Sequence, residues 1–299
     1  MLKEYIPWRP SGDSASIVNT AVNILEDYAS QGLDLTLRQL YYQFVARGLI
    51  ANKQTEYKRL GDLINKARLG GYVPWNRIVD RTRELRRVSS WEDPGAILSA
   101  VAEQYTRNLW EVQSDYVEVW IEKDALIGVI EGVCQELHVP YFSCRGFVSQ
   151  SEMHSAALRF IRKEKAEGVD CHILHLGDHD PSGMDMTRDI QDRLSLFGAH
   201  VHVERIALNM DQILELNPPP NPAKTTDSRS TAYIREYGEE SWELDAIEPR
   251  RMVDLIRDEI MQRVDAERMD GVQEVSAKER EFLAHLSNTW EDLLGDFEN

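Results

Sequence analysis

His172-Ile173-Leu174-His175-Leu176-Gly177-Asp178-His179-Asp180-Pro181-Ser182-Gly183 sets two aspartates, one residue apart, at the end of an apolar run. The run reads as a buried strand that empties into a turn. Glu122, 56 residues upstream of Asp178 (178 − 122), closes a similar run, Val117-Glu118-Val119-Trp120-Ile121. In open α/β sheets, ligands and catalytic groups gather at the carboxyl ends of the strands. Glu122, Asp178 and Asp180 together make a hard, all-oxygen donor set that suits Mg²⁺, the metal of phosphoryl transfer. The bland alternative is that Asp-x-Asp before Pro-Ser-Gly is turn chemistry and a helix N-cap.

Working outward, short strands alternate with helices. Strands are expected at residues 117–121, 141–144, 171–176 and 201–207, and helices at 125–137, 152–165 and 184–197. That alternation predicts an α/β fold with a mostly parallel, Rossmann-like sheet. Three helices are expected before it, at 14–30, 37–47 with Thr36 as N-cap, and 56–69, followed by a short hairpin over 72–80. Three helices and a basic hairpin outline a winged helix-turn-helix. A helix over 96–112 would connect the two units. The proline-rich piece 218–222 reads as a loop over the sheet, and 250 onward as two or three helices interrupted near Gly271. The expected division is 1–90, 91–114, 115–249 and 250–299.

The 299 residues carry a net charge of −17, but the charge is segregated. Residues 1–110 hold 15 Lys+Arg against 12 Asp+Glu, and residues 38–87 hold 12 against 4. A basic face on an acidic body suits duplex DNA. Its candidates are Lys58, Arg59, Lys66 and Arg68 on the third helix, then Arg77, Arg81, Arg86 and Arg87. No run approaches a membrane span and no signal peptide opens the chain. The three cysteines, Cys134, Cys144 and Cys171, lack metal spacing and read as buried thiols of a reducing cytoplasm. His172, His175, His200 and His202 read as core or surface histidines, and His179 is expected to point away from its aspartate neighbours.

Leu37-Arg38-Gln39-Leu40-Tyr41-Tyr42 is the second constellation. Tyr41 belongs to the helix's apolar stripe, while Tyr42 is rotated about 100° from it and lies one turn from Arg38. A phenol with a pKa of about 10 needs a cation or metal to act as a nucleophile at neutral pH. Without one, Tyr42 is a half-buried tyrosine beside a surface arginine.

These motifs, in the order Arg38…Tyr42, Ile121-Glu122-Lys123, Gly177 to Gly183 and Trp242-Glu243-Leu244-Asp245-Ala246, resemble the A subunit of type IIB DNA topoisomerases (topoisomerase VI) and its meiotic relatives. The resemblance covers roughly residues 13–260. It implies a winged helix carrying Tyr42 and a Toprim domain carrying Glu122, Asp178 and Asp180. Tyr42 would attack a DNA phosphodiester and leave a 5′-phosphotyrosyl link, with Arg38 stabilising phenolate or phosphate. Asp178 and Asp180 would hold Mg²⁺, and Glu122 would be a ligand or the general acid. The family's active form is a homodimer in which the tyrosine of one protomer faces the metal site of the other. The chain opens almost directly on the first helix, which puts coupling to an ATPase B subunit in question and resembles the stand-alone topoisomerase mini-A proteins of phages and plasmids. No ATP-site motif is visible. The alternatives are a Toprim nuclease that hydrolyses DNA with water, and a DNA-binding protein without catalysis.

Overall fold

A computed structural model describes residues 3–78, 88 and 90–290. Four strands form an all-parallel sheet: β1 (Asp115–Ile121), β2 (Tyr141–Ser143), β3 (Asp170–Leu176) and β4 (His202–Ala207), in the order β2-β1-β3-β4. Successive strand residues face opposite sides. Val117, Val119 and Ile121 of β1 therefore pack with α5 (Ile127–Glu136) and the C-terminal α10 (Pro249–Met261). Trp120 packs on the other face with α6 (Gln150–Glu167) and α7 (Pro181–Leu196). The result is a three-layer α/β unit. Its strand order reverses direction between β1 and β3, so their carboxyl ends open a crevice where Glu122 and Asp178 emerge.

Ahead of the sheet, α1 (Gly12–Ala29), α2 (Leu37–Ala46) and α3 (Gln54–Leu69) share a separate core built on Ile24, Leu25, Leu40, Phe44 and Ile64. Thr36 caps α2 as expected: its hydroxyl accepts from Gln39 N while the Gln39 side chain accepts from Thr36 N. Such a reciprocal cap contributes about 1 kcal/mol. Ala246 packs against this core, and Tyr28 donates to Glu248, so the helical unit is docked on the segment that follows the sheet.

Four local expectations change. Residues 72–78 do not begin a hairpin: Pro74 leads into a 3₁₀ turn at Trp75–Arg77, and Ile78 bridges Leu35 in parallel. Proline's fixed φ and missing N–H favour that turn over a ladder; residues 79 and 80 lie outside the described set. The connecting helix α4 (Pro94–Gln104) stops well short of residue 112. The last helix, α11 (Ala266–Asn288), runs unbroken through Gly271, whose cost in a helix of about 1 kcal/mol is absorbed by good helix formers around it. After α8 (Met210–Leu216), the proline-rich piece is not only loop. It contains β5 (Asn221–Pro222), and after α9 (Ser230–Tyr237) it pairs antiparallel with β6 (Glu240–Ser241). Cys134, Cys144 and Cys171 are buried and unpaired. No described helix is long and apolar enough to cross a membrane.

Candidate active site

The first turn of α7 positions the aspartates. Asp180 is its N-cap: Oδ1 accepts from Ser182 N at 3.0 Å and Gly183 N at 2.7 Å, with Pro181 at the first helical position. The turn reading of Asp180 is therefore realised through one oxygen. Asp178 Oδ1 accepts from Leu244 N at 2.8 Å and pairs with Lys123 Nζ at 2.9 Å. Glu122 Oε2 accepts from Asp178 N at 2.8 Å. The second oxygens of Glu122 and Asp178 meet no hydrogen-bond donor among the described residues, whereas Asp180 Oδ2 forms a long ion pair with Lys224 Nζ at 3.6 Å.

Burial and then the charge of Asp178 push Glu122 up to about 7. Burial also raises Asp178, against the pull of Lys123. Carboxylates that resist ionising beside one another are what a divalent cation relieves. No three His, Cys, Asp or Glu groups among the described residues already converge as a metal cage. The chemistry of the donor set nevertheless fits Mg²⁺: all oxygen, three carboxylates, and on Asp180 a second oxygen held only by the exposed Lys224.

Two cations missed by sequence reasoning organise this edge. Arg205 on β4 spreads its guanidinium over the carbonyls of Gly177 (2.8 Å), Asp178 (2.6 Å) and Gly183 (2.9 Å). It thereby fixes the turn and places positive charge behind the acids, although burial lowers it to about 10. Lys123 Nζ joins Asp178 to Asp245 (2.7 Å) and Glu243 (3.2 Å). Burial alone would lower Lys123; those three carboxylates more than offset it and keep it charged. Its place directly after Glu122 was the available signal. His179 points away, as expected, into a cage of Tyr233, Tyr237 and Trp242, with Nδ1 2.7 Å from the Tyr233 hydroxyl.

Arg38 reaches from α2 to the same network and pairs with Glu243 and, at 3.9 Å, Asp245. An unbroken relay of ion pairs thus runs from Arg38 through Glu243 and Lys123 to Asp178. Tyr42 is more buried than its helical position suggested, at 3% exposure, because Asn221 and Glu243 come over it from the far end of the chain. Burial, then the Glu243 charge, raise its phenol above the ordinary value, while Asn221 and Arg38 act the other way. Tyr42, Arg38 and Lys53 line a cleft of about 230 Å³ together with Asn52, Tyr57 and Asn221. Glu122, Asp178 and Asp180 do not line it.

On the candidate DNA face, Lys58, Arg59 and Lys66 are exposed on α3, and Arg59 pairs with Glu56 at 3.1 Å. Arg68 is committed inward: it stacks on Trp75 at 4.4 Å and donates to the carbonyls of Trp75 and Ile78. Arg77 is half-buried in the 3₁₀ turn. Arg81, Arg86 and Arg87 lie outside the described residues. No protein-family model matches the chain, and no curated protein matches it in sequence.

Proposed function

We propose that this chain cleaves double-stranded DNA through a covalent tyrosyl intermediate, as an A-subunit-like member of the type IIB topoisomerases. The supporting observation is that Tyr42, Arg38 and Lys53 line one cleft and that Arg38 is tied by ion pairs to the carboxylate edge. In this reading α1–α3 form the winged-helix unit and the parallel sheet with its acids forms the Toprim unit.

Tyr42 Oη forms a bond to phosphorus as the P–O3′ bond breaks, giving a 5′-phosphotyrosyl link and a free 3′-hydroxyl. The phenolic proton leaves to solvent in the cleft, and Arg38 stabilises the oxyanion or the pentavalent phosphate. Asp178 and Asp180 would hold Mg²⁺, which would supply charge neutralisation for the phosphate. Glu122 would either join them as a ligand or protonate the leaving 3′-oxygen, a task suited to a carboxyl that burial and the Asp178 charge push up to about 7. The acids do not line the Tyr42 cleft, so in this reading a second copy would supply them to a phosphate seated there, as the resemblance to the family implies. That favours a homodimer with composite sites.

The runner-up is a Toprim nuclease that hydrolyses DNA with water. Its specific support is the burial of Tyr42 and the upward push on its phenol. Supercoiled plasmid incubated with protein and Mg²⁺, arrested with detergent and split with or without protease, separates the two. Protein-blocked 5′ ends that vanish in Tyr42→Phe, with DNA binding retained, are expected. Undiminished cleavage by Tyr42→Phe would establish hydrolysis instead.

A further inference from the structure

The proline-rich piece has no part in the reaction as written, yet it delivers one side chain to the nucleophile. Asn221 Nδ2 lies 3.4 Å from Tyr42 Oη. Behind it, Asn52 Nδ2 donates to Asn221 Oδ1 at 3.0 Å and to Pro220 O at 2.9 Å. Tyr41 Oη donates to Asn52 Oδ1 at 3.0 Å.

The direction of this chain is fixed by chemistry. A backbone carbonyl only accepts, so the Asn52 amide must turn its NH₂ group toward Pro220 and its oxygen toward the Tyr41 hydroxyl. The same NH₂ group meets Asn221, which must therefore present its oxygen to Asn52 and its own NH₂ to Tyr42. The Asn221 backbone is held as well: it pairs with Ser241 across β5 and β6, and Pro222 after it favours extended geometry.

We propose that Asn221 is a positioning residue for the nucleophile, its amide locked by Asn52 and Tyr41 so that one N–H is aimed at the Tyr42 oxygen before negative charge develops there. The inference rests on the tyrosyl reading above. A separation of 3.4 Å is long for a neutral pair; a donor facing an oxyanion closes to about 2.8 Å and roughly doubles in strength. The strap thus gives more to the phenolate than to the phenol, which is the condition for helping the reaction rather than only the fold. The charged and titratable groups that face Tyr42 are Arg38 on its own helix, Glu243 from the segment after β6, Tyr41, whose ring is 5.3 Å away, and Lys53 and Tyr57 across the cleft. Asn221 adds to these an uncharged amide donor 3.4 Å from the Tyr42 oxygen.

The test places a fluorinated tyrosine, more acidic than tyrosine, at position 42 by amber suppression and follows its phenolate absorbance against pH. Asn221→Ala should raise the midpoint by about one pH unit. Asn52→Ala, which frees the Asn221 amide to rotate, should raise it by less, and Asn221→Ser should restore part of the loss. With Tyr42 itself in place, Asn221→Ala should slow formation of the detergent-trapped DNA adduct about tenfold and move its pH profile to the alkaline side. An unmoved midpoint in Asn221→Ala overturns the assignment. If that variant does not melt like wild type, an unmoved midpoint in both Asn52→Ala and Asn221→Ser overturns it. A moved midpoint with cleavage that survives Tyr42→Phe would keep the Asn221 contact and remove the tyrosyl reading.

Discussion

A Cβ at Gly183 would stand 2.2 Å from the Asp178 carbonyl oxygen and 3.0 Å from its carbonyl carbon. Both are backbone atoms, and Arg205 pins them from the other side. The first turn of α7 can approach the acidic loop this closely only because residue 183 has no side chain. Gly183→Ala should therefore destabilise the fold by about 1–3 kcal/mol, an overpacking cost with nowhere to relax. Gly132 offers the contrast. It sits inside α5 with nothing within 4 Å of its notional Cβ. Gly132→Ala should stabilise by about 0.5–1 kcal/mol through helix propensity. Denaturant midpoints of the two variants check the pair; a Gly183→Ala midpoint at or above that of wild type would contradict the close approach at Gly183.

At the scale of elements, the β3–α7 turn carries the acids and also needs them for its own hydrogen bonds. Asp178→Asn with Asp180→Asn keeps an acceptor oxygen for Leu244 N, Ser182 N and Gly183 N while removing the charge. If Mg²⁺ binds here, it should raise the melting temperature of wild type, and the double variant should fold but lose that rise, since a ligand stabilises only the state that binds it. An equal Mg²⁺-induced rise in both proteins would show that these aspartates only shape a turn.

The same turn shows how much the sequence could reveal. The apolar run into Gly177 and the Asp-x-Asp-Pro that follows disclose a strand end and a capped helix, because local chemistry alone makes them. The neighbours of that turn are another matter. Arg205 sits in an ordinary alternating strand, and nothing within that strand says its guanidinium will lie under residues 177–183. Glu118 was hidden in the same way: it is 2% exposed, and Arg159, Tyr116 and Trp120 satisfy it completely. Asn221 and Glu243 reach Tyr42 from about 180 to 200 residues away, a juxtaposition created by tertiary folding and invisible to any periodicity.

Across the whole molecule, the −17 net charge would repel DNA if it were spread evenly, yet 12 of the 34 Lys+Arg lie within residues 38–87 against 4 acids. Of the described members, Lys58, Arg59 and Lys66 are exposed on α3, whereas Arg68 is held by Trp75 and two carbonyls. Duplex binding through phosphates releases counterions, so each lost contact lowers the slope of log K against log[salt] by about 0.9. Replacing Lys58, Arg59 and Lys66 by Ala should thus weaken binding about equally on unrelated duplex sequences and flatten the salt dependence. Arg68→Ala should cost mainly stability, because it loses the stack on Trp75 and the bonds that hold the 3₁₀ turn. Arg250, Arg251 and Arg257 sit on the acidic C-terminal side, and Arg251 and Arg257 pair there with Glu215 and Glu136. Alanine at those three positions should leave the slope unchanged. Titrations at several salt concentrations decide the matter: a steeper loss from the C-terminal set than from the α3 set would put the duplex on the opposite surface.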